Sequence, residues 1–129
     1  IIVAIMLKNM KNDMNVHLYE KSYHKCHFLK EVSEKLNLNT KIFHENIFQI
    51  KNLDAGTIMS RAFKPMPVVL DLVYENFSKY KNLIFFMGKS GKKIFENSKK
   101  NWKMEYIEKK SLTSKDSFLI NIKKIKKKN

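Results

Sequence analysis

Two residues stand out for the chemistry their positions would allow. Glu20 closes the extended pattern Asn15–Tyr19 (NVHLY). An acid at the carboxyl end of a strand is where a nucleotide-binding sheet accepts hydrogen bonds from a ribose diol. The same carboxylate would equally serve to start a helix, where the dipole favours negative charge. Arg61 follows the strand-like string TIM directly, within SRAF, and it is the single arginine among 26 strong cations, the other 25 being lysine. Its planar fork binds an anion through two parallel hydrogen bonds, whereas lysine supplies a hydrated point charge. An arginine kept in a lysine background therefore marks a need for that fork, or is a chance survivor.

Other chemistries find less support. His17, His24, His27 and His44 have neither cysteine nor carboxylate company at ligand spacing, so they read as surface or core residues and no metal is expected. Ser60 lacks the Gly-x-Ser-x-Gly elbow and an assignable histidine, which argues against hydrolase chemistry. Cys26 falls on the inward stripe of a helix and reads as a small core residue, while Tyr23, Phe28 and Trp102 read as packing rather than as stacking platforms. With one cysteine there is no internal disulfide, and a reducing, cytoplasmic setting is the default.

The elements that must position these residues follow from hydrophobic period. A helix begins at Ile1 or Ile2. After the strand Asn15–Tyr19, the residues Tyr23, Cys26, Phe28, Leu29, Val32 and Leu36 recur at helical spacing. Lys41–Phe43 and Thr57–Met59 read as short strands, and Val68–Phe77 as a helix that Pro65 and Pro67 help to start. Asn82–Met87 (NLIFFM) is a continuous apolar run suited to a strand buried on both faces. Ile94 and Phe95 sit in a short helix after the Gly88 and Gly91 turn. Lys103–Ile107 and Ser117–Ile122 are strands too close in sequence for a packed helix between them, so they form an antiparallel hairpin, and Lys123–Asn129 (KKIKKKN) reads as a solvated tail. Alternating strands and helices predict an α/β domain with a mostly parallel, doubly wound sheet. Ligands bind such sheets at the carboxyl ends of strands. Functional weight therefore falls on Glu20, on 44–48, on 60–63 and on 88–91.

At 129 residues the chain suffices for a single domain, 1–129, and its 43% hydrophobic content supplies a core. The longest apolar run, Ile1–Leu7, is far short of the ~20 residues a membrane-spanning helix needs. The formal charge of +14 favours a polyanionic partner such as nucleic acid. Lys, Asn and Ile supply 51 of the 129 residues, however, and all have adenine- and thymine-rich codons, so codon bias accounts for part of that charge.

The ordered strings VAIMLK, LYEKSYHKCHFLKEV, IMSRAFKP, FFMGKSG and SFLINIKK resemble the small-subunit ribosomal RNA guanine-N7 methyltransferase family, also called glucose-inhibited division protein B. The resemblance implies a Rossmann-like S-adenosylmethionine-dependent methyltransferase fold, with methyl transfer to N7 of a guanine in 16S rRNA of the small ribosomal subunit. It implies that Glu20 contacts the cofactor ribose, that Asn46 and Ile47 line the adenine side, that Arg61 lies in the cofactor pocket and that Lys89 faces RNA. Phe48 stands where the family has Glu, and Ser90 where it has Gly.

In the family a loop of the form G-x-G-x-G-F-P-G follows the first strand and precedes the helix that opens this chain. The expectation is therefore a portion of a longer protein, lacking that loop and strand and inactive alone, acting in the whole enzyme as a monomer without metal or membrane. Glu20 and Arg61 would converge on one nucleoside-shaped hollow. The alternative is a non-catalytic, lysine-rich α/β module that binds RNA or the ribosome.

Overall fold

A computed structural model describes residues 1–61 and 64–129; Ala62 and Phe63 of the SRAF string lie outside them. The chain divides into two compact units, Ile1–Ile50 and Lys51–Asn129.

The first unit opens with helix α1 (Ile2–Asn9), which ends where Lys11 turns to a positive φ of 55°. Strand β1 (Val16–Tyr19) leads to helix α2 (Tyr23–Lys35) and strand β2 (Thr40–Phe43), and β1 and β2 pair in parallel from Val16↔Thr40 to Tyr19↔Phe43. The hydroxyl of Ser22 caps α2 by accepting from the Lys25 backbone N–H, one of the donors that a helix start leaves unpaired. The helix stops at Asn37, whose φ of 49° places it in the left-handed region that asparagine tolerates. Cys26 and Ser33 are buried, and the Ser33 hydroxyl hydrogen-bonds that of Thr40 at the start of β2. Cys26 is thus the small core residue its place on the stripe indicated. Tyr23 and Phe28 are not: 66% and 62% exposed, they face solvent, because helical spacing assigns residues to one side without fixing how far the buried stripe extends. A 3-10 turn, Ile47–Gln49, closes the unit.

The second unit holds the larger core. Strand β3 (Leu53–Asp54) is short, and β4 (Thr57–Ser60) leads through the SRAF string to helix α3 (Met66–Asn76). Pro65 caps α3 and Pro67 sits in its first turn, where a missing N–H costs nothing and the fixed φ is already helical. Met66, Val69, Leu70 and Val73 lie at spacings of three and four and are all buried. The helix ends one residue before Phe77, which instead opens strand β5 (Phe77–Lys79), paired in parallel with β3. Neither β3 nor β5 was legible, since two or three residues are too few to show a period.

Strand β6 (Asn82–Met87) runs parallel to β4, and after helix α4 (Gly91–Ser98) the chain forms the hairpin β7 (Trp102–Lys110) and β8 (Phe118–Lys127). The sheet order is β4-β6-β8-β7, with β8 antiparallel to both neighbours. Leu83 and Phe85 of β6, Ile120 and Ile122 of β8, Phe95 of α4 and the α3 stripe form one buried cluster. All these β6 side chains lie on one face. Phe86, on the other, is 43% exposed, so β6 is packed on one side rather than two. The terminal lysines are not a free tail: β8 continues through Lys127, with Trp102 opposite Lys127 and Met104 opposite Ile125. The Lys127 ammonium lies 5.5 Å from the centre of the Trp102 ring, which is the packed residue expected. Among the described residues no helix is long and apolar enough to cross a membrane.

Candidate nucleotide-binding site

Parallel pairing in each unit brings two strand ends side by side, and the expected site residues fall just beyond them. In the first unit the chains leaving β1 and β2 are tied together. The Glu20 N–H donates to the Phe43 carbonyl (3.0 Å) and the Glu45 N–H to the Glu20 carbonyl (3.2 Å), while the rings of Tyr19 and Phe43 stack at 4.7 Å. Glu20 is half-buried, and its Oε1 accepts from the Ser22 N–H at 2.9 Å. Among the described residues its carboxylate is in no ion pair, which leaves Oε2 able to accept from a ligand. Burial pushes the neighbouring Tyr19 phenol above its ordinary pKa, and the Glu45 carboxylate acts in the same direction.

Asn46 and Ile47, both half-buried, follow β2. The Asn46 side-chain carbonyl accepts from the Phe48 N–H (3.1 Å), so this residue fixes the start of the 3-10 turn and leaves its amide N–H groups free of that duty. Ile47 presents the apolar surface beside it. A carboxylate, an amide and an aliphatic side chain gathered at adjacent parallel strand ends suit the ribose and the base of a nucleoside.

In the second unit Arg61 follows β4, and Gly88 follows the neighbouring β6. Arg61 is exposed and lines an open cleft of about 420 Å³, together with Phe86, Gly88, Lys109, Lys110 and Phe118 among others. Three cations and no carboxylate line this cleft, so it favours an anion. Lys89 stands exposed on the turn beyond β6, where the Gly91 N–H donates to the Gly88 carbonyl at 2.9 Å, and it is not part of the cleft wall. Phe86, Lys109 and Lys110 were not singled out by sequence reasoning. Phe86 lay within a run read as wholly buried, and two lysines among 25 carry no signal until the hairpin register places them.

Of the histidines, His24, His27 and His44 gather around Tyr23, while His17 packs its ring edge-on to Phe43. Among the described residues no group of His, Cys, Asp or Glu could hold a metal ion.

Parallel strands joined through helices, followed by an antiparallel hairpin, with polar groups at the carboxyl ends, make a Rossmann-like α/β fold. Solved structures agree. The M. jannaschii TYW2, solved in complex with AdoMet, superimposes with a TM-score of 0.57 at 15% identity, over 95% of this chain and 62% of that one. An rRNA methylase from Streptococcus thermophilus gives 0.56 at 9% identity, over 87% and 74%.

The sequence comparison is narrower. The family model GidB, rRNA small subunit methyltransferase G, matches residues 1–122, and the chain belongs to that family. It is 62% identical over all 129 residues to the ribosomal RNA small subunit methyltransferase G of Pelagibacter ubique, covering 61% of that protein. It is 23% identical over 127 residues to the protein of the same name from Ruegeria, covering 62% of it. The chain thus spans about three-fifths of the length of these curated relatives.

Proposed function

We propose that the protein carrying this chain transfers a methyl group from S-adenosyl-L-methionine to N7 of a guanine in 16S rRNA of the small ribosomal subunit. The observation that carries the reading is Glu20. It is half-buried at the carboxyl end of a parallel strand pair, with one carboxylate oxygen committed to its own turn and the other available for a ribose diol. The residues present fit the cofactor: Glu20 would hold the ribose, and Asn46 and Ile47 the adenine side. The cofactor supplies an electrophilic methyl group.

Guanine N7 has an available lone pair and no proton to lose, so the reaction asks for no general base. Catalysis is then mainly a matter of holding N7, the methyl carbon and the sulfonium sulfur in line. This accounts for the absence of an assignable proton-transfer residue. N7 lies on the major-groove edge, which a regular RNA helix hides, so the target guanine sits in an irregular or opened region. Lys89 on its turn, with Lys109 and Lys110 on the cleft wall, would attract the phosphates. The protein acts in the cytoplasm, as a monomer, and without metal. The non-catalytic module is not favoured, because the chain's family is one of methyltransferases.

The test supplies the whole protein with labelled S-adenosylmethionine and small ribosomal subunits. Label should enter 16S rRNA, and Glu20→Gln should reduce that uptake by weakening cofactor binding. No transfer by the unsubstituted protein would overturn the reading.

A further inference from the structure

An aromatic surface beside β1 and β2 has no part in the methyl transfer described above. Tyr23 opens α2 and is 66% exposed. Three imidazoles surround its ring: His27 lies near-parallel at 18° with centroids 6.3 Å apart, and the rings of His24 and His44 meet it steeply at 5.6 and 5.9 Å. His44 arrives from the end of β2 and is held by contact of its Nε2 with the Lys21 carbonyl at 3.1 Å. All three histidines are exposed, as are Lys21 and Lys25 on the same segment. The acids of these loops are Glu20, whose carboxylate accepts from the Ser22 N–H, and the exposed Glu45.

We propose that Tyr23, braced by His24, His27 and His44, is a stacking platform for an unpaired RNA base, with Lys21 and Lys25 taking the adjoining phosphates. The choice of RNA rests on the proposed function; the place and the mode of contact do not. An exposed planar ring is poorly matched to water, and every nucleobase offers a π face to cover it. Tyrosine has only two side-chain torsions to immobilise, and its neighbours already restrain the ring, so little freedom is lost on stacking. The flanking charges suit phosphate, which separates this surface from an apolar protein-docking patch. A base-paired stem keeps its base faces covered, so the platform selects single-stranded RNA.

The experiment uses the whole protein and two probes, a single-stranded oligoribonucleotide and a base-paired RNA hairpin stem, with binding followed by fluorescence anisotropy. Tyr23→Ala should weaken single-strand binding by roughly 5- to 100-fold and Tyr23→Phe should restore most of it, since the ring rather than the hydroxyl does the stacking. Stem binding and S-adenosylmethionine affinity should be unaltered in Tyr23→Ala. His27→Ala, which removes the parallel brace, should give a smaller loss. Unchanged single-strand binding in Tyr23→Ala would overturn the proposal, and so would a parallel fall in S-adenosylmethionine affinity, which would assign the ring to the cofactor pocket. A protein that transferred no methyl group yet lost single-strand binding on Tyr23→Ala would keep the platform and overturn the proposed activity alone.

Discussion

Glu20 and Arg61 could be singled out as candidates from the sequence by where they stand: an acid where a strand stops, and the one guanidinium among lysines. The cleft neighbours of Arg61 were not, since Lys109 and Lys110 gain meaning only from the register that sets Lys109 against Leu119 and Lys110 against Phe118. Glu20→Gln keeps the acceptor that Ser22 uses and removes the charge. It should therefore lower S-adenosylmethionine affinity about 10-fold, the scale of one hydrogen bond to a charged group, with little change in melting temperature; calorimetric titration measures the first and thermal unfolding the second. Arg61→Lys should fall well short of the unsubstituted protein in transfer, since a point charge cannot replace the fork. Lys99 gives a separate prediction. Its ammonium donates to the Tyr106 hydroxyl at 2.8 Å and to Glu96 at 3.2 Å, and the Tyr106 bond leads in raising its pKa above the usual 10.5. The proton is held more tightly in the folded state, so the stabilisation is fully present below the ordinary lysine pKa and is lost as pH rises through the raised value. Denaturant unfolding across that alkaline range should show the loss, and Lys99→Met should diminish it.

Elements were legible in proportion to how many residues display a period. Helices α2 and α3, strand β6 and the β7–β8 hairpin all announced themselves, whereas β3 and β5 did not. The end of β8 was hidden for another reason. KKIKKKN looks solvated because its charged side chains face outward along the strand, while the one apolar residue among them, Ile125, packs against the core. Composition there reported the exposed face and concealed the pairing. The turn from β6 into α4 depends on close approach: a Cβ on Gly91 would lie 2.7 Å from the Met87 Cβ, an atom fixed by the strand. Gly91→Ala should destabilise by about 1–3 kcal/mol, the cost typical of overpacking, read from equilibrium denaturation. If stability were unaltered, the approach of α4 to the end of β6 would be looser than described.

For the molecule as a whole, the charge of +14 was the plainest feature and the least specific one. It favours a polyanion, yet lysine is spread over α1, α2, α4, β2, β5, β7 and β8, and only where sheet topology gathers cations without acids, as around Arg61, does charge become a place. Fold class followed from the alternation of elements; the cofactor and the base came from the resemblance, since an acid after a strand serves many nucleotides. The family match now gives that resemblance its footing over residues 1–122. The most direct test of the account is the identity of the product. The whole protein is incubated with S-adenosylmethionine and small ribosomal subunits, and the 16S rRNA is digested to nucleosides and analysed by mass spectrometry with N7-methylguanosine as standard. The account predicts one added N7-methylguanosine per rRNA. A methyl group on any other atom or base, or none, would contradict it.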